Sequence, residues 1–162
     1  MADSEKWLGF AHAYAEKNST CAKVHVGSVI VSQIEGLVEV AKYGCNHGVL
    51  NCRKNGCRRV RLYGENSKAH RLPSDCDALH SEVDAIANAA RAGIPTEGAT
   101  IYVTRYPCEA CARAIVAAGI KHVVYGRKES ISKYTETIFQ FEGVKVTKVD
   151  WYEEDEDADV DN

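Results

Sequence analysis

Three side chains that can ligate a metal and one that can carry a proton stand in two short clusters of this sequence. His80-Ser81-Glu82 opens one predicted helix, and Cys108-Glu109-Ala110-Cys111 opens another directly after Pro107. Residues three apart share a helix face, so both sulfurs can point at one spot. The free N–H groups and dipole of a helix start favour their thiolates. One imidazole from the other helix brings the ligands to three, which for zinc keeps a fourth position open to water and separates a catalytic site from a closed structural one. Glu82, two residues from the histidine, sits beside the metal without ligating it. Zinc lowers the pKa of water, and a carboxylate in that place can take the proton and return it to a leaving group. Such machinery suits hydrolytic attack on an amidine-like ring carbon with loss of ammonia.

Either cluster alone is ambiguous. A lone P-C-x-x-C serves equally as a redox pair or half of a structural zinc site, and a lone H-x-E as a surface pair. Together, each opening a helix with a strand between them, they match the known zinc-deaminase signature of H-x-E followed by P-C-x-x-C. Thiol exchange gives no reason for His80 and Glu82. A closed zinc site stays open as an alternative, with a loop cysteine as fourth ligand.

The elements that must position these residues are legible from periodicity. Trp7, Leu8, Ala11, Tyr14 and Ala15 recur at helical spacing within 5–17. Val24–Val31 and Leu37–Tyr43 favour strands around a turn at Glu35-Gly36, which reads as a hairpin. Cys45–Asp77 carries glycines, cysteines and basic residues without sustained periodicity, with a short strand expected at Arg59–Tyr63. Unstructured connections longer than ~12–15 residues need a functional or structural reason. From His80 the order is helix to about Ala90, strand Thr100–Thr104, helix Cys108–Ala118, strand His122–Tyr125, helix Tyr134–Phe141 and strand Val144–Val149. Short strands alternating with helices imply an α/β fold with a mixed sheet flanked by helices.

At 162 residues the chain fits one domain able to bury a core without disulfides. Residues 1–150 are expected to form it, with 45–77 as a cysteine-containing insertion and 151–162 as an acidic flexible tail. The tail's seven acidic residues conceal a basic body: without them the formal net charge goes from −3 to +4. Arg53, Lys54, Arg58, Arg59 and Arg61 lie in a stretch, Cys45–Gly64, that has no acidic residue. That suits a small anionic ligand and gives only weak support for a nucleic-acid surface. No secretory pattern opens the chain and no apolar run approaches a membrane span, so a cytoplasmic protein is expected. Seven cysteines call for an explanation: disulfides persist poorly in a reducing compartment and the number is odd, which favours metal ligation for the clustered ones, with burial as small hydrophobes the alternative for each taken singly.

The segments His80-Ser81-Glu82-Val83-Asp84-Ala85-Ile86, Glu97–Thr104, Tyr106-Pro107-Cys108-Glu109-Ala110-Cys111-Ala112, Ala118-Gly119-Ile120 and Val123-Val124-Tyr125 resemble the deoxycytidylate (dCMP) deaminase family, within the wider cytidine and deoxycytidylate deaminase group. The similarity covers most of 5–150. It implies a three-layer cytidine-deaminase-like fold, hydrolysis of dCMP to dUMP and ammonia, a catalytic zinc on His80, Cys108 and Cys111, Glu82 as proton shuttle, and a homohexamer. It also implies that Asn46 contacts the nucleotide sugar. Members commonly pair that asparagine with a glycine, which His47 separates here from Gly48, and carry asparagine where this chain has Asp84. Some viral and bacterial members hold a second, structural zinc with a ligand in the turn before the first strand, where this chain has Cys21.

Further candidates follow from residue type. Tyr106 beside the metal turn can stack on a pyrimidine or pack its own loop. Arg53, Lys54, Arg58, Lys128 and Lys133 can meet a phosphate, and Tyr134 follows Lys133. A second zinc on four of Cys21, Cys52, Cys57, His70 and Cys76 would staple the insertion, while Cys45 is expected to be buried near the cleft. Two alternatives remain: deamination of another free or modified cytosine nucleotide or nucleoside, and a non-catalytic zinc-stapled module that binds nucleic acid.

Overall fold

The computed structural model describes residues 2–34, 38–48, 50–64, 76–127 and 132–151. His70, Lys128, the Glu35-Gly36 turn and nearly all of the acidic tail lie outside the described residues. The chain runs α1 (Ala2–Asn18), β1 (Gly27–Ile34), β2 (Val38–Cys45), β3 (His47–Gly48), α2 (Cys52–Asn55), α3 (Arg58–Tyr63), β4 (Ala78–Leu79), α4 (Ser81–Arg91), β5 (Thr100–Arg105), α5 (Glu109–Ala117), β6 (His122–Arg127), α6 (Lys133–Phe141) and β7 (Lys145–Lys148). Every regular element expected on either side of the insertion is present within a few residues of its expected ends. Among the described residues no helix is long and apolar enough to cross a membrane.

Five strands form one mixed sheet in the order β2-β1-β5-β6-β7. β1 and β2 make the expected antiparallel hairpin, β1 runs antiparallel to β5, and β5, β6 and β7 are parallel. The alternation of side chains along a strand sorts the two faces. Val29, Val31 and Tyr102 pack with Trp7 and Ala11 of α1, whereas Ile30, Ile101 and Val103 pack with Ala85, Ala112, Ile115 and Phe139 of α4, α5 and α6. This is the three-layer arrangement expected from the sequence. Parallel β5 and β6 need a crossover, and α5 supplies it, so the chain leaves the inner strand β5 and enters α5 through Pro107 and Cys108.

The insertion differs from expectation in one element: Arg58–Tyr63 is the helix α3 and not a strand. Its apolar residues alternate, which mimics a strand. However, arginine and leucine are good helix formers, and Gly64, at φ 78°, closes the helix by donating its N–H to the Val60 carbonyl. A two-stranded ladder, β3 with β4, pairs His47 with Leu79 and so ties the strand exit to the residue before His80.

Two glycines let helices touch the sheet backbone. A β-carbon on Gly44 would lie 2.3 Å from both the Ser81 carbonyl oxygen and the Ala85 nitrogen, and one on Gly27 would lie 1.9 Å from the Ala11 carbonyl oxygen. Gly44→Ala is therefore expected to lift α4 from β2 at a cost of about 1–3 kcal/mol, read as a lowered urea midpoint. An unchanged midpoint would show that α4 can yield without loss.

Candidate active site

α4 and α5 begin alike. His80 and Cys108 occupy the positions preceding their helices with extended backbone, φ −75° and ψ 150° for His80 and φ −75° and ψ 171° for Cys108, and neither side chain caps its own helix. Both are thus available to turn toward each other. His80 Nδ1 lies 3.5 Å from Cys108 Sγ and 3.4 Å from Cys111 Sγ. All three donor atoms lie within 4.8 Å of one another, the only such group of three among the described residues. Zinc–sulfur bonds of about 2.3 Å and zinc–nitrogen bonds of about 2.0–2.1 Å at a tetrahedral angle separate sulfur from nitrogen by ~3.5 Å. The donor set and its spacing fit zinc. Cys108 and His80 face solvent and Cys111 is buried, so the group can be reached from one side.

The electrostatics match a cation site. The Cys111 thiol donates to Cys108, and with His80 beside it this holds the Cys108 thiol down to about 3. The same hydrogen bond, with burial, pushes Cys111 up. His80 is raised chiefly by its hydrogen bond with Cys108, against burial and the positive charge of Arg59. Glu82 is only 4% exposed, and burial raises its carboxyl above the ordinary 4.5. Ser81 Oγ donates to Glu82 Oε2 at 3.2 Å and lies 2.6 Å from Ser28 Oγ on β1.

The other candidates fall in different places. The Asn46 side chain is committed to the loop before β1: its Oδ1 accepts from Ser19 Oγ at 2.7 Å and from the Val26 N–H at 2.9 Å, and its Nδ2 donates to the Val24 carbonyl at 2.8 Å. The two residues that depart from the family pattern meet: His47 Nε2 lies 3.0 Å from Asp84 Oδ1, and Asp84 Oδ2 accepts the Cys45 N–H at 3.0 Å. Cys45 is buried, which pushes its thiol up to about 11. The Tyr106 ring packs edge-on against Tyr125, centroids 4.8 Å apart, and near Phe139. Arg53 Nη2 meets the His25 ring, 2.6 Å from Nε2, and the Glu16 carbonyl. Lys54 is exposed.

Lys133 and Tyr134 begin α6, whose capping Ser132 donates to Glu109, between the two sulfur ligands. The Arg113 guanidinium lies 5.5 Å from the Tyr134 ring centroid. Of the cysteines around the insertion, Cys57, Cys21 and Cys76 all bear electrostatically on Cys52, whose thiol is raised chiefly by burial. Sequence reasoning missed Ser81, Ser28 and Arg59 as site residues. Ser81 was signalled by its place inside the His-x-Glu cluster and Arg59 by its place in the basic stretch Cys45–Gly64; Ser28 carried no local signal.

Residues 1–127 match a family model described as the cytidine and deoxycytidylate deaminase zinc-binding region. The chain is 32% identical over 132 residues to ComE operon protein 2 of Bacillus subtilis, covering 82% of this chain but 64% of that protein. It is 37% identical over 128 residues to a deoxycytidylate deaminase of Mycobacterium phage D29, covering 76% of this chain and 94% of the relative. In fold it resembles the dCMP deaminase of cyanophage S-TIM5, solved in complex with dCMP and dUMP, with a TM-score of 0.65 and 23% identity over 91% of this chain and 97% of that one.

Proposed function

Because this chain belongs to the cytidine and deoxycytidylate deaminase zinc-binding family, we propose that it hydrolyses the 4-amino group of dCMP to give dUMP and ammonia. The observation that carries this reading is the convergence of His80, Cys108 and Cys111 beside the buried Glu82. Zinc held there supplies a Lewis acid that lowers the pKa of water. Glu82 takes a proton from the attacking water as its oxygen bonds to C4, passes it to the ring nitrogen, and carries the second to the departing amine. The water oxygen stays on the ring, ammonia leaves, and Glu82 ends as it began. A carboxyl raised by burial is suited to both taking and giving the proton near neutral pH.

For the phosphate and sugar we assign Lys133 and Tyr134, which follow the serine tied to Glu109, and Arg59, whose charge reaches His80. Arg53 contributes less, because its guanidinium is engaged by His25, and Lys54 stands with it on α2. Asn46 serves the sugar by holding its loop, and among the described residues one of its two amide N–H groups is engaged, by the Val24 carbonyl. Tyr106 supports the metal loop from below through Tyr125. In this reading 1–150 is the catalytic unit, 151–162 an acidic tail, and the protein a cytoplasmic homo-oligomer, as a hexamer.

Ammonia release from dCMP, CMP, deoxycytidine, dCTP and a short single-stranded oligonucleotide tests the assignment. The expected order places dCMP first. A faster reaction with another of these moves the substrate, and no release with salt-sensitive polyanion binding replaces the enzyme by a binding module. We also assign a structural zinc to the insertion on four of Cys21, Cys52, Cys57, His70 and Cys76: Cys57, Cys21 and Cys76 are near enough to Cys52 to raise its thiol, although among the described residues these cysteines do not bring three donor atoms within 4.8 Å of one another, and His70 lies outside the described residues. Two zinc ions per folded chain are expected by elemental analysis. One per chain in fully loaded protein sinks this second site.

A further inference from the structure

Glu82 lies in the first turn of α4, and its carboxylate bends back over the preceding residue. Neighbours on a helix do not ordinarily face each other, yet Ser81 Oγ stands 3.2 Å from Glu82 Oε2. Ser81 is fully buried, and so is Ser28, whose hydroxyl lies 2.6 Å away on β1. β1 is an inner strand, paired on both sides through this residue, with Gly44 of β2 and Val103 of β5. The contact exists because α4 rests directly on the bare backbone of Gly44.

The direction of this chain follows from counting protons. An ionised carboxylate only accepts, and a hydroxyl has one proton to give. Ser81 therefore donates to Glu82, and Ser28 must donate to Ser81. Cys111 also bears on the Glu82 carboxyl, but a cysteine that ligates metal does so as a thiolate and has no proton to donate. With metal bound, Ser81 is then the remaining side-chain donor to this carboxylate among the described residues.

We propose that Ser81, backed by Ser28, is the positioning residue for Glu82, anchoring Oε2 to the sheet so that Oε1 is the oxygen that handles the proton. Neither serine touches the reacting atoms. Ser28 sets the hydroxyl proton of Ser81, and Ser81 fixes the carboxylate plane, which must hold its orientation while two protons are taken up and delivered in one turnover. The inference rests on the reading of Glu82 as the proton carrier.

Zinc-loaded wild type, Ser81→Ala and Ser28→Ala are compared by steady-state kinetics on the cytosine nucleotide that wild type turns over fastest, and by crystal structures of the zinc-loaded proteins. Loss of a hydrogen bond to a charged group predicts a fall in kcat of about 10- to 100-fold for Ser81→Ala, with KM changed less than about threefold. Ser28→Ala, which removes only the distant hydroxyl, is expected to fall in between. The crystals are expected to show one Glu82 conformation in wild type and a displaced or divided carboxylate in Ser81→Ala. A merely structural role would lower the melting temperature and leave kcat per zinc-loaded molecule unchanged.

A Ser81→Ala protein with kcat within twofold of wild type overturns the proposal, as does an unmoved Glu82 carboxylate. Should Ser81→Ala fail to fold, the Ser28→Ala kinetics and structure decide by the same criteria. A wild type that deaminates no cytosine nucleotide overturns the functional reading alone, and the position of the Glu82 carboxylate then decides the anchoring by itself.

Discussion

Glu82→Gln is expected to lower kcat by about 10²- to 10⁴-fold, the range for a positioned proton carrier, in a protein that still holds its zinc. Glutamine keeps the size of the side chain and an oxygen for the Ser81 hydroxyl, but has no carboxyl proton to take or give. KM should change little, because the loss is confined to steps after binding. Turnover within tenfold of wild type would remove Glu82 from the proton path. The same substitution should stabilise the metal-free fold. Burial raises the Glu82 carboxyl above its ordinary 4.5, so the folded chain holds this proton more tightly than the unfolded chain does. That contribution to stability is complete below pH 4.5 and is lost as pH rises through the folded value. Glutamine loses no proton, so at about pH 8 the metal-free variant should melt a few °C higher, at about 2–4 °C per kcal/mol for a chain of this size. The gap should close on acidification. A variant that melts lower at pH 8 would mean that the ionised carboxylate is well paired in the fold.

Replacing any one ligand should abolish activity for a different reason. His80→Ala, Cys108→Ser and Cys111→Ala each leave two donors where the geometry provides three within 4.8 Å, and a hydroxyl is a poor substitute for a thiolate. Zinc affinity should fall by well over 100-fold, beyond the about 10–100-fold typical of residues that only support ligands, and turnover should fall to background. Elemental analysis after dialysis against a mild chelator separates this from Glu82→Gln, which keeps the metal. Cys111→Ala carries a second penalty, since Cys111 is 1% exposed and its removal opens space under α5. Cys108 is exposed, so Cys108→Ser should lose zinc and activity with little change in the metal-free melting temperature. A ligand variant that keeps stoichiometric zinc and full turnover would overturn the three-ligand assignment.

What the sequence determined by itself is local. The spacing of His80 to Glu82 and of Cys108 to Cys111 dictates which groups share a helix start, and apolar periodicity dictates the helices and strands that carry them, because both depend on residues a few positions apart. The tertiary structure decided everything that depends on distant partners. It closed the 28-residue gap between His80 and Cys108 to 3.5 Å, and it made Arg58–Tyr63 a helix bounded by Gly64. It also committed the Asn46 amide to Ser19, Val24 and Val26, and the Tyr106 ring to Tyr125. Residue type says what a polar atom or ring can do. Which of its hydrogen bonds and faces are already taken is set by groups tens of residues away, and that is why the metal cluster was legible in the sequence while the groups that surround its substrate were not.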